Sequence, residues 1–386
     1  MLPARSSAYG DDSNRRLRPP AILHPMPPTR SHPTIDDAAP NRRWSWLARA
    51  ILSVVALVGM LPLIGAVLTA ILERSAERRF PCLGSFVSVR SEMRSDFGAS
   101  ASKTLDLDDA TTPTIALNYL EAGAGQPVVL LHGAFGGLQD WSATIMGTLA
   151  ARYRVIAFDR PGHGYSERVP GRANDPSVQA EVLRAALHDL RVERPILVGF
   201  SWGGAVALAY ALDHQQELEA LVTVSVASHV KENPTSPIYR IPSIPLVGWL
   251  FEHTLVLPLG RATAQSRIAN SFAPEPVPDS FVASPVDLAL TPGRFSANAE
   301  DLVILDDFAR GQSKRYGQLT LPTWILVGEG DRVANPHIHS YRLHEQVRGS
   351  HLVSIKGAGH QLLYRHAREI LEAIDAAGEE AKGRGR

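Results

Sequence analysis

Residues 199–204 read GFSWGG, a serine two positions after one glycine and two before another. The stretch before it, PILV (195–198), is short and apolar and suits a strand. The stretch after it, AVALAYAL (205–212), is apolar and suits a helix. A turn from strand straight into helix is tight, so its flanks must lack clashing side chains, and Gly199 and Gly203 supply that. Ser201 then sits at a helix N-terminus, where unpaired N–H groups and the helix dipole favour negative charge. The bare G-x-S-x-G pattern is weak. The strand before and the helix after are the setting that a nucleophile elbow requires.

A serine hydroxyl is a poor nucleophile without a base. A loop histidine is usually just solvated, but GAGH (357–360) puts His360 after the last strand-like run, where the base is expected. The base needs an acid to fix its tautomer. Asp331 ends WILVGEGD (324–331) and completes the order Ser201, Asp331, His360. The rival acid is Asp159 in FDRPGHG (158–164), which reads more naturally as the brace of its loop; Asp306 and Asp307 are more distant choices. A developing oxyanion needs two donors. Trp202 N–H, directly after the nucleophile, is one. The other is expected from HGAFGG (132–137), with Ala134 preferred and Phe135 in reserve. His132 and His163 read as loop anchors, and the Trp202 side chain as a pocket wall beneath a cap.

The rhythm of the chain agrees with this site. PVVLLHG (127–133), RVIAFDRPG (154–162), PILVGFS (195–201), LEALVTVSVAS (218–228), PTWILVGEGD (322–331) and HLVSIKGAGH (351–360) are apolar, β-rich runs that end in Gly, Asp, Ser or His. Such runs suit strands buried on both faces of a parallel sheet. Between them lie helical patterns at 138–152, 177–191, 202–216, 335–348 and 362–376, so the alternation predicts an α/β open sheet. Its chemistry should collect at the carboxyl ends of the strands. Residues 229–317 break the rhythm with many prolines and no clear strand, as expected of a functional insertion such as a lid.

Residues 1–43 are rich in Pro, Arg, Ser and Asp and are expected to stay disordered. The next segment, 44–79, carries no charge from Ala50 to Leu72. As a helix that run spans about 34 Å, enough for a bilayer core. Trp44 and Trp46 at one end suit a membrane interface. A transmembrane helix in contact with the lipid bilayer through residues 50–72 is therefore expected. A buried helix and a cleaved signal peptide are the alternatives. Arg42, Arg43 and Arg49 at one end balance Arg74, Arg78 and Arg79 at the other, so charge does not orient the helix.

Lys+Arg and Asp+Glu number 39 each, which gives no basic footprint for nucleic acid. The single cysteine, Cys82, allows no intramolecular disulfide and no cysteine-rich zinc site. HGAFGG lacks the Lys-Ser/Thr ending of a phosphate loop. No cofactor and no metal are expected.

HGAFGG, DRPGHGYS, GFSWGG, GEGD and GAGH, in this order, resemble the serine α/β-hydrolase superfamily over about residues 84–378, in its branch of cap-bearing small-molecule hydrolases. The resemblance implies an eight-stranded, mostly parallel sheet with helices on both faces. SFVSVRS (85–91) and TIALNYLEAG (114–123) would supply its first two strands. The core would then occupy 84–228 and 318–378, with a helical cap at 229–317 after the sixth strand. Similar epoxide hydrolases and haloalkane dehalogenases carry aspartate at the elbow. Serine here implies an acyl-serine intermediate, and a carboxylic-ester-type hydrolase is the favoured expectation. IPSIPLVGWLFEHTLVLPLG (241–260) suggests an apolar acyl pocket. A cofactor-free haloperoxidase, a C–C bond hydrolase and a non-enzymatic ligand receptor are the alternatives.

Overall fold

The computed structural model describes residues 42–90, 114–170 and 175–384. The arm expected over residues 1–43 lies outside these, except for its last two positions, which begin a helix. Residues 91–113, between the first two strands, also lie outside.

Eight strands form one sheet: β1 Ser85–Arg90, β2 Thr114–Ala122, β3 Pro127–Leu131, β4 Arg154–Phe158, β5 Ile196–Phe200, β6 Ala220–Val224, β7 Thr323–Gly328 and β8 His351–Ile355. Their order is β1-β2-β4-β3-β5-β6-β7-β8. β2 runs antiparallel to β1 and to β4, and every other pairing is parallel. Residues 196–200 and 220–224 are buried at every position. This is why their sequences are continuously apolar rather than alternating.

Helices cover both faces. On one, α4 (Pro176–Asp189) and α5 (Trp202–His214) bury Leu183, Leu187, Val206 and Leu208 against Val129, Leu131 and Leu197. On the other, α2 (Leu138–Ser142), α3 (Met146–Leu149), α11 (Leu362–Arg365) and α12 (Ala367–Arg384) bury Trp141, Leu149, Ile370 and Ile374 against Val128, Leu130 and Val198. Asp175 caps α4, accepting from the Ser177 and Val178 N–H groups, with Pro176 at the first helical position.

Three of the expected helices differ in extent. The pattern at 138–152 is two short helices, because the Thr144 hydroxyl donates to the Asp140 carbonyl and the ladder is interrupted there. At 335–348 only α10 (Ser340–Gln346) is helical. Asn335 first makes a turn, its carbonyl accepting from Ile338 and His339. The pattern at 362–376 breaks at His366 and then runs on to Arg384.

Between β6 and β7 the described residues hold helices and turns: α6 (Val247–Phe251), a π-helical turn (Glu252–Val256), α7 (Leu257–Phe272), α8 (Val286–Ala289) and α9 (Arg294–Gln312). Phe295, Ala297, Asn298 and Asp301 of α9 are buried.

The long N-terminal helix is α1, Arg42–Arg79, with Pro62 inside it. It is apolar enough to cross a membrane by length and composition. The chain divides between Val55 and Ala56 into two units. In the first, Ser45–Val55 are exposed along the helix. In the second, Thr69, Ala76 and Phe80 are buried, and Leu72 packs on a cluster of Val256, Leu257, Leu290, Phe295 and Ala299.

Candidate active site

Ser201 follows β5 and opens α5 with φ 51° and ψ −116°, a positive-φ conformation that strains a residue bearing a Cβ. The surroundings impose it. A Cβ on Gly199 would come within 2.6 Å of the Gly203 carbonyl oxygen, and one on Gly203 within 2.4 Å of the His132 carbonyl oxygen. No side chain fits at either position, so the turn can be this tight only with glycine on both flanks.

His360, in the loop after β8, reaches Ser201. Its Nε2 lies 3.0 Å from Ser201 Oγ, and its Nδ1 lies 2.7 Å from Asp331 Oδ2. A carboxylate only accepts, so Nδ1 carries the proton and Nε2 is left to accept from the serine hydroxyl. Asp331 is oriented in turn by the Val333 and Ala334 N–H groups, each donating to Oδ1 at 2.8 Å. All three residues are buried, so solvent competes little for these bonds.

The rival acids are occupied elsewhere. Asp159 accepts from Leu138 N–H through Oδ1 at 2.9 Å and from Tyr165 N–H through Oδ2 at 3.0 Å, which ties its own loop to the start of α2. Burial lifts its carboxyl to about 6, with those two donors working against the shift. Asp306 pairs with Lys231, and Asp307 with Arg310.

The HGAFGG loop lies against the nucleophile. A Cβ on Gly133 would sit 3.1 Å from Ser201 Cβ. Phe135, itself at φ 56°, donates its N–H to Asn298 Oδ1 of α9 at 2.6 Å. That donor is spent. The Ala134 and Trp202 N–H groups have no acceptor among the described residues.

Trp202 departs from expectation. Its indole lies under α9, but as packed interior rather than as a pocket wall. It is 1% exposed and donates through Nε1 to the Asp301 carbonyl at 3.1 Å. The Arg160 guanidinium lies 4.5 Å from its ring centroid. Arg160, which the sequence reading passed over, is the hub of this region. Nε donates to the His132 carbonyl at 3.0 Å and Nη2 to the Gly133 carbonyl at 3.3 Å, while Nη1 serves Gln179 and Asp301. Burial pushes the guanidinium below its usual value, and Asp301 opposes the shift.

His132 and His163 anchor loops, as read from the sequence. His132 Nδ1 donates to the Gly133 carbonyl and its Nε2 accepts from Arg160 N–H. His163 Nδ1 donates to the Pro161 carbonyl and its Nε2 accepts from Arg160 Nη2. Burial, then the adjacent Arg160, holds both imidazoles low. They are neutral near pH 7, so His163 makes no ion pair with Asp301, 3.1 Å away.

In this arrangement Ser201 can pass its proton to His360, whose cation Asp331 stabilises, and the Trp202 and Ala134 N–H groups have no acceptor among the described residues. Four aromatic rings link this loop to the insertion. Phe135 lies 6.3 Å from both Tyr239 and Phe295, and Phe251 lies 6.2 Å from Phe295.

A family model described as alpha/beta hydrolase fold matches residues 126–367. A 2-hydroxy-6-oxononadienedioate/2-hydroxy-6-oxononatrienedioate hydrolase of Cupriavidus pinatubonensis is 28% identical over 287 residues, 70% of this chain and 92% of that protein. An uncharacterized protein of Mycobacterium tuberculosis is 30% identical over 251 residues, 62% of this chain and 71% of that protein. A thermophilic esterase from Thermogutta terrifontis superposes with a TM-score of 0.58 at 21% identity, covering 77% of this chain and 99% of that one. At that identity the likeness speaks to the fold.

Proposed function

The chain belongs to the α/β-hydrolase family, and on that premise we propose that it is a membrane-anchored serine hydrolase that cleaves an apolar carboxylic ester through an acyl-serine intermediate. The observation that carries the reading is His360 standing between Ser201, at 3.0 Å, and Asp331, at 2.7 Å. In this mechanism Ser201 Oγ attacks the ester carbonyl as its proton passes to His360 Nε2. The oxyanion is held by Trp202 N–H and Ala134 N–H. Collapse breaks the bond to the alkoxy oxygen, which takes the proton from His360. Water, deprotonated by the same nitrogen, then releases the acid and restores Ser201.

The apolar preference is supported by the rings of Phe135, Tyr239, Phe251 and Phe295 between the HGAFGG loop and the insertion. The anchor is supported by the length and apolar composition of α1. Neither a metal nor a cofactor has a part in these steps.

A second reading, hydrolysis of a carbon–carbon bond beside a ketone, draws on the curated relatives named for 2-hydroxy-6-oxononadienedioate. That compound is a dicarboxylate and calls for free cations near the serine. The buried Arg160 guanidinium is committed to Asp301 instead, which favours the ester.

A p-nitrophenyl ester series from acetate to laurate, assayed with purified full-length protein in detergent, tests the proposal. Each buried CH₂ is worth about 0.8 kcal/mol, so kcat/KM for the octanoate is expected to exceed that for the acetate by tenfold or more. Equal rates along the series remove the apolar substrate from the account. Turnover of a dienol ketone without ester turnover replaces it by the second reading.

A further inference from the structure

The insertion after β6 carries an apolar surface that the reaction does not use. Ile244, Leu246, Val247, Trp249, Leu250, Leu255 and Leu259 are exposed large hydrophobics, Leu246 by 78% and Trp249 by 59%. Between Ile244 and Leu259 the only ionisable side chains are Glu252, which is buried, and His253, whose ring stacks on Trp249 at 4.6 Å. Exposed Arg240, Arg261 and Arg267 flank the stretch. A soluble surface rarely leaves so continuous an apolar face open to water.

Its position relative to α1 identifies what covers it. A Cβ on Gly65 would lie 2.7 Å from the Thr254 carbonyl oxygen and 2.9 Å from Thr254 Cβ, so the two helical segments touch backbone to backbone there. Such approaches through glycine are typical of helices packed in lipid. Further along, Arg79 and Arg261 both approach Asp287, so α1 and the helix continuing from α6 run in the same sense. The exposed residues Leu246–Leu250 therefore lie on the Gly65 side, away from the charged end of α1. Gly65 is seven residues before Leu72, the last residue of the uncharged run. At 1.5 Å per residue that is about 10 Å inside it. Whatever solvent surrounds α1 at Gly65 also surrounds Thr254 and its neighbours.

We propose that the segment Ile244–Leu259 inserts into the bilayer beside the C-terminal half of α1, with Leu246, Val247, Trp249 and Leu250 among the acyl chains and Arg240, Arg261 and Arg267 at the headgroups. The proposal rests on reading α1 as a membrane span. Trp and Leu on one face with arginine at its margins is the pattern of a helix seated in an interface. Ring contacts connect the inserted segment through Phe251 and Phe295 to Phe135 of the HGAFGG loop. Acyl substrates dissolved in the membrane would approach from this side.

The test uses full-length protein with Cys82→Ser, carrying an environment-sensitive dye on Leu246→Cys, in vesicles of phosphatidylcholine with a minority of phosphatidylglycerol. Lipids brominated on their acyl chains are expected to quench this dye several-fold more than the same dye on Arg348→Cys, at an exposed position in the loop before β8. Iodide in the buffer is expected to do the reverse. A dye at 246 that iodide reaches as readily as the one at 348 overturns the proposal. Shielding from both quenchers that fades as protein is diluted in lipid also overturns it, because a second copy then covers the face. Two controls on the same sample separate other failures. Resistance to alkaline carbonate extraction reports on α1, and fluorophosphonate labelling reports on Ser201.

Discussion

Arg160 Nη1 lies 2.8 Å from Asp301 Oδ2, and both side chains are 1% exposed. The pair joins the loop after β4 to α9 of the insertion. Through its remaining donors Arg160 also holds the carbonyls of His132 and Gly133, the residues just before the expected oxyanion donor. Removing one partner of a buried pair leaves the other charge uncompensated, which typically costs about 3–5 kcal/mol. Asp301→Leu is expected to destabilise by that amount in urea denaturation in mild detergent. Arg160→Met/Asp301→Leu is expected to lose less than the sum of the two single changes. Strict additivity would show that the pair is not coupled.

His339 accepts from the Ser228 and His229 N–H groups through Nδ1, so it must be neutral to do its structural work. Burial, with a smaller push from His229, lowers its pKa to about 4. An unfolded histidine titrates near 6.5, so between those values the unfolded state binds more protons. This contribution to stability is present above about pH 6.5 and is lost as pH falls towards 4. It amounts to at most about 3 kcal/mol. His132, His163 and His229 are also lowered and act in the same direction. Denaturation midpoints measured from pH 7 to 4 are expected to fall less steeply in His339→Asn than in the wild type. Parallel slopes would remove His339 from this account.

Asn298 acts on the site through the backbone. Its Oδ1 takes the Phe135 N–H at 2.6 Å, which fixes the HGAFGG loop, whose Ala134 N–H has no acceptor among the described residues. A donor aimed at the oxyanion is worth about 10²–10³ in rate when removed outright. Loosening it through Asn298→Ala is expected to slow fluorophosphonate labelling roughly tenfold. KM for a short ester should stay within about twofold, as befits a positioning effect on the transition state. An unchanged labelling rate would point to a different second donor.

Asp331→Asn keeps the size of the side chain but places an amide beside His360 Nδ1. The imidazole then loses its reason to present Nε2 as an acceptor to Ser201. kcat is expected to fall about 10³–10⁴-fold with the fold intact by circular dichroism. Asp159→Asn, by contrast, should act on stability, since both Asp159 oxygens serve backbone donors. Equal catalytic losses in the two variants would return Asp159 to candidacy as the acid.

What the sequence makes legible is local. PILVGFS, WILVGEGD and HLVSIKGAGH each combine an apolar strand with the residue type its carboxyl end needs, so Ser201, Asp331 and His360 can be read before their distances are known. The sheet is legible for the same reason, since parallel strands buried on both faces are continuously apolar. What stays hidden depends on docking across long separations. Asp301 is 141 residues from Arg160 in a helix with no motif. Nothing near Trp202 says that its indole meets the Asp301 carbonyl. The choice between the Ala134 and Phe135 N–H groups turns on Asn298, which comes from the insertion. The breaks near Thr144, Asn335 and His366 do not show in the periodicity, because local bonds set them: the Thr144 hydroxyl to the Asp140 carbonyl, Ile338 and His339 N–H to the Asn335 carbonyl, and the His366 imidazole to Glu275. The apolar stretch at 241–260 is legible as apolar. That its face points outward, beside Gly65, is not.

Ser201 as the nucleophile is tested most directly by covalent labelling. Purified full-length protein in detergent is treated with a fluorescent fluorophosphonate, and the adduct is located by peptide mass spectrometry. The wild type is expected to gain one adduct on Ser201, and Ser201→Ala, folded by circular dichroism, is expected to gain none. Undiminished labelling of Ser201→Ala, or a folded wild type that never labels, would contradict it.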